Sequence, residues 1–264
     1  MASNAELVRQ KYADPSYEDG RAERSRAAGF EFHYTKKHLT PYIIPIDHVV
    51  EIGCATGHYG MHFASRCKSY TGVDLSPANI GEFRRKIAEA GLENVRAEVG
   101  DATDLSAFSD GQFDVVLCLG PMYHLPAEER ELVFQECRRI CRPGGIVAFA
   151  YINKGGAYMK GYLVWPEQYP NAFCNEMVLE KGTDDRHPGL FYFSTPEEMN
   201  FRARENGLEV LKNVGVDFTY DEETINTMND EQLEAFMRFH DFLCDSPSCT
   251  GMSDHGLLIC RKPD

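Results

Sequence analysis

Short apolar segments alternate with segments of helical periodicity through the middle of this 264-residue chain. Five apolar segments are followed by a stretch with helical spacing, and they cover residues 47–53, 69–75, 95–101, 113–120 and 144–152. The third is the least apolar, and the last two are the most apolar. Alternation of this kind predicts β-α-β units, and therefore a parallel sheet with helices on both faces.

Two of the helical segments carry clear start and stop signals. In the first, Ser76 is the expected N-cap, Pro77 occupies the first helical position and Gly91 ends the helix. The second follows Pro126 and ends at the Pro-Gly-Gly of residues 143–145. Its expected buried stripe consists of Leu132, Val133, Cys137, Ile140 and Cys141.

The alternation stops after Tyr151. Residues 153–193 are rich in glycine and aromatic residues without a clear period, which predicts a long loop or lid. A helix with Ser194 or Thr195 as its cap then runs to Gly207, and two strands follow at 208–218 and 255–262. Between them lies an acidic insertion, 219–253, with an amphipathic helix at 229–243. Together with the five earlier segments, these strands predict a sheet of seven.

Composition restricts the class of protein further. Hydrophobic residues make up 43% of the chain, enough for a sizeable core, and the formal net charge of −14 disfavours a nucleic-acid partner. Neither a signal peptide nor a membrane partner is expected, because the longest nearly apolar run is 145–152. The nine scattered cysteines indicate free thiols in the cytoplasm. The oligomeric state is left open, a homodimer being one option.

The chemistry first shows at the end of the first strand. The run Glu51-Ile-Gly53-Cys-Ala55-Thr-Gly57 places small residues where the backbone turns sharply and a ligand can lie against it. It matches neither the dinucleotide glycine pattern nor a phosphate loop. A tight strand-to-helix turn without a ligand is the alternative.

Two aspartates follow at the ends of the next two strands. Asp74 is placed to accept hydrogen bonds from vicinal ribose hydroxyls, and the alternative role of helix cap is already filled by Ser76. Asp101 can accept from an exocyclic amine while the Ala102 backbone contacts the ring. An Asx turn leading into Asp104 is the alternative for Asp101.

The order of these motifs resembles the class I S-adenosylmethionine-dependent methyltransferases, strongly over Val49 to Ile152 and more weakly at the closing strands. The resemblance implies a Rossmann-like, mostly parallel seven-stranded α/β fold with S-adenosylmethionine as cofactor. We expect residues 1–46 to form an N-terminal helical cap over the cofactor pocket and 47–264 to form the methyltransferase domain, with lid insertions at about 153–193 and 219–253.

Residue by residue, the resemblance implies a cofactor site along the strand ends. It places Glu51, Gly53 and Gly57 beside the methionine part, Asp74 and Leu75 at the ribose, Asp101 and Ala102 at the adenine, and Leu119 at the reactive end. Ala55 stands where the family usually has its middle glycine. The Ala55 methyl group is expected to be tolerated if that residue has a negative φ.

The segment after the fourth strand bears on the substrate. Methyltransferases that act on nucleic acids or glutamine typically carry Asn/Asp-Pro-Pro-Tyr there, whereas this chain has Gly-Pro-Met-Tyr-His-Leu at 120–125. A small metabolite methylated on oxygen or nitrogen is therefore expected. His124 is the candidate general base, with a structural histidine bonded to a backbone carbonyl as the alternative. Tyr123 is expected to orient the substrate or simply to pack.

The N-terminal segment and the cysteines leave further alternatives. Tyr12 and Tyr34 are candidate cofactor contacts, with ordinary packing as the other interpretation. No metal site is predicted, because the spacing of Cys244, Cys249, His255 and Cys260 fits no common zinc pattern. Methylation of sulfur or a metalloid, and a non-catalytic cofactor-binding module, are the competing functions.

Overall fold

A seven-stranded sheet forms the centre of the protein, in the order β3-β2-β1-β4-β5-β7-β6. The computed structural model describes residues 3–184 and 190–264. The strands are β1 His48–Ile52, β2 Ser69–Asp74, β3 Val95–Val99, β4 Phe113–Cys118, β5 Cys141–Ile152, β6 Glu209–Gly215 and β7 His255–Arg261. The predicted Rossmann-like α/β fold, with seven strands and mostly parallel pairing, is confirmed.

The direction of the strand order reverses between β1 and β4. β1 pairs in parallel with both β2 and β4, and β7 runs antiparallel to its neighbours β5 and β6. As a consequence of the antiparallel pairing, Ile152, the last residue of β5, lies beside His255, the first residue of β7. The start of β7 therefore shares an edge of the sheet with the carboxyl ends of the parallel strands, where ligands bind in open α/β sheets.

Helices cover both faces of the sheet and give two hydrophobic cores. Tyr70 and Phe83 belong to the core that includes α2, α3, α4 and α10, and Phe134 and Phe149 belong to the core under α5 and α8. The helices of the described residues are α1 Asn4–Lys11, α2 Gly29–Leu39, α3 His58–Phe63, α4 Pro77–Glu89, α5 Ala127–Ile140, α6 Lys154–Val164, α7 Ala172–Cys174, α8 Pro196–Glu205, α9 Glu222–Thr227 and α10 Asp230–Asp245.

The predicted caps are present, but the predicted stripe of α5 needs a correction. Ser76 Oγ accepts a hydrogen bond from the Asn79 amide at the start of α4, and Thr195, not Ser194, caps α8. In α5, Leu132 is 46% exposed, whereas Phe134 is buried. Cys141 is buried as the first residue of β5 and lies outside the helix. The stripe was misassigned because Leu132 is apolar but faces away from the sheet.

The expectation of a long loop at 153–193 was wrong. This segment contains α6, α7 and a π-helical turn, Asn175–Lys181, while its residues 185–189 lie outside the described part, as do residues 1–2 of the predicted N-terminal cap. Glycines misled the sequence interpretation here. A Cβ on Gly156 would approach the Ser253 carbonyl oxygen to 2.0 Å, and one on Gly161 would approach the Tyr169 ring to 2.6 Å. Both glycines therefore permit close packing of α6.

None of the helices in the two described ranges is long and apolar enough to cross a membrane.

Two glycine substitutions inside helices should have opposite effects on stability. Gly81 lies in α4 with open space around its missing Cβ, so Gly81→Ala should raise stability by about 0.5–1 kcal/mol through the lower conformational entropy of the unfolded chain. Gly156→Ala should lower stability by about 1–3 kcal/mol or more because its methyl group meets backbone atoms. Thermal and urea unfolding of both variants would measure this, and equal effects would contradict the packing role of Gly156.

Candidate functional site

A cavity of about 1140 Å³, counting the part open to solvent, lies at the carboxyl ends of β1, β2, β3 and β4. The first strand-end turn contributes the wall at 51–56, the second contributes 73–76, the third 100–102 and the fourth 119–121. Residues of α1, including Ala5 and Val8, also line the cavity. The cavity therefore sits where the strand order reverses.

Asp74 joins the first two strand ends. Its Oδ2 accepts from the Ala55 amide and its Oδ1 from the Ser76 amide, both at 2.8 Å. Burial raises the pKa of Asp74 above its ordinary value, although these bonds and a contact from Asn79 oppose the shift. A carboxylate has about four acceptor positions, so this one can still accept from a ligand. Asn79 also lines the cavity and keeps a buried side-chain oxygen without a partner among the described residues.

Ala55 does not have the negative φ expected from the sequence. Its φ is +46°, and it is the non-glycine residue with a positive φ among the described residues. The left-handed conformation costs an L-residue roughly 1–2 kcal/mol. The strain accompanies the hydrogen bond of the Ala55 amide to Asp74, because both depend on the same sharp turn.

Gly53 and Gly57 both have positive φ values, of 80° and 86°. A Cβ on Gly53 would meet Pro121 Cδ at 2.6 Å, so the glycine lets the turns after β1 and β4 approach each other. Gly53 lines the cavity, whereas the structure places Gly57 at the start of α3, under the Phe83 ring. The requirement for glycine at 57 therefore comes from its positive φ and from packing against Phe83, not from the cavity.

Glu51 is a buried carboxyl group that lines the cavity beside Gly53. The Tyr70 hydroxyl donates to its Oε2 at 2.7 Å. Burial raises the pKa of Glu51 to about 8, with Asp74 adding to the effect and the Tyr70 bond opposing it. In the absence of a nearby positive charge, Glu51 is therefore mostly protonated at neutral pH.

The remaining candidate cofactor contacts lie at the ends of the second, third and fourth strands. Asp101 Oδ1 accepts from the amide and hydroxyl of Thr103, which is the Asx turn considered as the alternative. Oδ2 of Asp101 has no hydrogen bond within the described ranges, so the turn leaves one oxygen for a ligand. Leu75, Ala102 and Leu119 all line the cavity. Leu119 follows β4, and its amide donates to the last residue of β1.

Tyr12 and His124 form a hydrogen-bonded pair in the cavity wall. His124 Nδ1 lies 2.8 Å from the Leu190 carbonyl oxygen, which can only accept, so the ring proton sits on Nδ1. Nε2 then accepts from the Tyr12 hydroxyl at 2.9 Å. Burial lowers the pKa of His124 to about 4 and raises that of Tyr12. His124 therefore makes the hydrogen bond to a backbone carbonyl that is expected of a structural histidine.

The other two aromatic residues considered for the site, Tyr123 and Tyr34, lie in different parts of the structure. Tyr123 lines the cavity, and its hydroxyl donates to the Leu119 carbonyl at 3.2 Å. Tyr34 is fully buried away from the cavity, stacks on His240 and donates to the Met237 carbonyl. The structure thus places Tyr34 in the core between α2 and α10, as the packing alternative anticipated.

Sequence reasoning missed a group of charged residues beside Tyr123. Glu18, Arg21 and Glu31 all line the cavity, and Arg21 binds both carboxylates, with Nη1 2.8 Å from Glu31 Oε2. Asp217 and His255 are hydrogen-bonded to each other at the adjoining ends of β6 and β7. One signal was available: Gly-Val-Asp occurs at 72–74 and again at 215–217, each time at the end of a strand.

Comparison with known proteins identifies the family of this chain. A family described as a methyltransferase domain matches residues 49–145. The chain is 30% identical over 174 residues to a ubiquinone biosynthesis O-methyltransferase of Stutzerimonas stutzeri (strain A1501), with 64% of this chain and 68% of the relative covered. A protein of the same name from Pseudomonas aeruginosa (strain LESB58) is 31% identical with the same coverage. The chain belongs to the class I S-adenosylmethionine-dependent methyltransferases.

Solved structures of methyltransferases share the fold at low identity. Magnesium protoporphyrin IX methyltransferase from Synechocystis PCC 6803, solved with bound S-adenosylhomocysteine, has a TM-score of 0.66 at 12% identity and covers 98% of this chain and 100% of its own. A putative methyltransferase of Haloferax volcanii, in complex with the Trm112 activator, has a TM-score of 0.61 at 19% identity, with 97% and 98% covered.

The residues of this methyltransferase fit its cofactor. The deep carboxylate of Asp74, the free oxygen of Asp101 and the turn of small residues at 53–55 line one continuous cavity. Hydroxyl and amine donors of a nucleoside match carboxylate acceptors at two neighbouring strand ends. Glu51 adds a buried acid that a cationic ligand group would ionise.

Relief of the backbone strain at Ala55 should appear in the free energy of unfolding. Ala55→Gly should leave the methyltransferase unchanged or stabilise it by up to about 1 kcal/mol, since the relieved strain offsets the extra entropy of glycine in the unfolded chain. Ala88→Gly, at an exposed position of α4, should instead cost about 1 kcal/mol. A loss at Ala55 as large as that at Ala88, measured by thermal unfolding, would contradict the strain.

Cofactor binding should depend on pH through Glu51. The Glu51 pKa of about 8 in the free protein falls when a positive group binds nearby, so binding below pH 8 releases a proton. Cofactor affinity should therefore rise from pH 6 to pH 8, and Glu51→Gln should remove this rise. Calorimetry in buffers of different ionisation enthalpy would detect the proton, and an equal pH dependence in both proteins would exclude Glu51 as its source.

Proposed function

We propose that this enzyme transfers a methyl group from S-adenosylmethionine to an oxygen atom of a small metabolite. The observation that carries the proposal is a cavity continuous from the two nucleoside-facing aspartates, Asp74 and Asp101, to the charged group at Arg21 and Glu31. That second region leaves room for a polar acceptor beside the cofactor. The curated relatives named as O-methyltransferases support oxygen over nitrogen as the methylated atom.

The contacts that hold the cavity wall in place favour a small molecule over a polymer as the methyl acceptor. Helix α1 lies against it, and the Ser76 hydroxyl donates to the Tyr12 carbonyl while Tyr12 binds His124, so the N-terminal segment is tied down on two sides. Lys86 and Asp19 form a further ion pair across this contact. A polymer would have to displace these contacts, and the net charge of −14 repels nucleic acid.

We assign the cofactor contacts from the same geometry. Asp74 and Leu75 hold the ribose, Asp101 and Ala102 the adenine, and Glu51, Gly53 and Ala55 the methionine part, with Leu119 and Tyr123 at the methyl group. S-adenosylmethionine supplies a methyl group on a positively charged sulfur that is already electrophilic. The protein then has to align an acceptor oxygen in line with that methyl group and exclude water.

His124 is better suited to positioning than to removing a proton. Its Nε2 already accepts from Tyr12, and a pKa of about 4 makes its cation unfavourable at neutral pH. General bases work best when their pKa lies near the working pH. We propose that His124, held by the Leu190 carbonyl, fixes Tyr12 and with it the N-terminal cap over the cofactor.

Sulfur or metalloid transfer has less support. Cys54 is the cysteine that lines the cavity in the described part of the chain, and burial raises its pKa well above the usual value, so a thiolate ligand is disfavoured. The nine cysteines are unpaired, and eight of them are buried. We propose a reducing cytoplasmic location on this basis.

The acceptor class can be tested with labelled cofactor. The purified enzyme would be incubated with methyl-labelled S-adenosylmethionine and separate panels of hydroxylated aromatics, hydroxy acids and primary amines, and the products identified by mass spectrometry. Label on a hydroxyl oxygen is the expected result. Label only on amines would contradict the choice of atom, and cofactor binding without transfer to any panel or to a metabolite extract would favour the non-catalytic module.

Replacement of His124 should have a modest and pH-independent effect on turnover. His124→Ala should lower kcat less than about tenfold between pH 6 and 9, whereas loss of a general base costs about 10²–10⁴-fold. The KM for the cofactor should rise, and Tyr12→Phe should reproduce that rise because it removes the same hydrogen bond. A loss of kcat above a hundredfold in His124→Ala alone would show that the imidazole removes the proton.

A further inference from the structure

Three potential metal ligands from distant parts of the chain meet at the acceptor end of the cavity. They are Glu31 from α2, Asp217 just after β6 and His255 at the start of β7, and one ligand atom from each lies within 4.8 Å of the other two. Glu31 also lines the cavity. Because β7 is antiparallel, His255 lies at the same sheet edge as the cofactor-facing strand ends.

We propose that Glu31, Asp217 and His255 bind a divalent metal ion beside the methyl acceptor. His255 Nδ1 lies 2.9 Å from Asp217 Oδ2. Two ligands that bind one ion at about 2.1 Å, at right angles to each other, are separated by about 3 Å. The distance between His255 Nδ1 and Asp217 Oδ2, which are now joined by a hydrogen bond, therefore also matches the distance between two neighbouring ligands of one metal ion.

The balance of charge in this region favours a cation. Four carboxylates, those of Glu18, Glu31, Asp217 and Asp254, face two permanent cations, Arg21 and Lys160. With a neutral His255 as ligand, the group has a net charge of −2. A divalent ion neutralises that charge, and enclosed charges are stable only when they are paired or bind metal.

The two permanent cations lie in positions that support the ligands. Arg21 donates to both oxygens of Glu31, at 2.8 and 3.3 Å, and each oxygen keeps a further lone pair. Lys160 pairs with Asp254 rather than with the three ligands, while the Asp217 Oδ1 accepts from the His255 backbone amide at 2.6 Å. Metal-binding carboxylates and histidines are commonly oriented by such outer hydrogen bonds.

The ligands are enclosed but retain accessible surface. The side chains of Glu31 and His255 each keep 13% of their surface exposed, and that of Asp217 keeps 18%. Tyr123, in the wall between the two regions, has its ring centroid 5.9 Å from that of His255. Glu31 is the member of this set that lines the cavity, so an ion here would face the cavity on the Glu31 side. Two carboxylates and an imidazole suit Mn²⁺ or Zn²⁺.

The chemical value of such an ion rests on the proposed O-methyl transfer. A hydroxyl group bound to a divalent cation loses its proton to water at a lower pH, because the cation stabilises the oxyanion. The acceptor oxygen would then be a ready nucleophile without a protein base. This accounts for a site whose candidate base from the sequence, His124, is buried, held neutral by that burial and already hydrogen-bonded at both ring nitrogens.

Metal binding can be tested with the ion alone, without cofactor or acceptor. A negative result would therefore not bear on the methyl-transfer proposal. The full-length protein, stripped with chelator, would be titrated with Mn²⁺ and the free ion followed by electron paramagnetic resonance, with Zn²⁺ as competitor. We expect one Mn²⁺ per chain that Zn²⁺ displaces. Asp217→Asn and Glu31→Gln should each weaken binding at least tenfold, as expected for the loss of a ligand or of its outer partner.

The matched control is Glu23→Gln, which removes a carboxylate paired with another histidine, His58, outside the group. It should bind Mn²⁺ like the wild type. The rise in Tm caused by S-adenosylhomocysteine would show that each variant is folded. No binding of either ion up to roughly 1 mM, or binding unchanged in both ligand variants, would overturn the proposal while leaving the cofactor site intact.

Discussion

The geometry of the whole site depends on the carboxylate of Asp74. Its two oxygens accept from Ala55 and Ser76, so one side chain links the turn after β1 to the turn after β2. This link holds Ala55 in a left-handed conformation that alanine does not favour. A ligand hydroxyl that binds Asp74 thus meets a group already oriented by two backbone amides. Preorganisation of this kind reduces the entropy lost on binding.

A second constraint comes from the direction of one strand. In an all-parallel sheet, the first residue of β7 would lie at the opposite edge from the cavity. Antiparallel pairing instead sets His255 beside Ile152 and near Asp217 at the end of β6. The strand ends that line the cavity and the charged group at β6 and β7 therefore lie at one edge of the sheet.

The sequence predicted local features well and long-range ones poorly. Strands, caps and the aspartates at 74 and 101 could be found because each depends on neighbouring residues and on a simple period. The packing of Gly156 against Ser253 could not, since a glycine looks the same whether it ends a helix or permits contact. The positive φ of Ala55 likewise follows from a hydrogen bond to a residue on another strand. The meeting of Glu31 with Asp217 and His255 depends on the complete fold.

The charged group at the acceptor end is hard to explain by stability. Enclosed ion pairs recover little more than their desolvation cost, and apolar residues of similar volume often stabilise a protein as well or better. Here an excess of carboxylates is kept beside a cavity, where the Arg21 and Lys160 contacts leave part of the negative charge uncompensated. His124, by contrast, is neutral and already bonded on both ring nitrogens. We therefore propose that the polar acceptor is recognised at the Glu31, Asp217 and His255 end and not at the motif that first suggested a base.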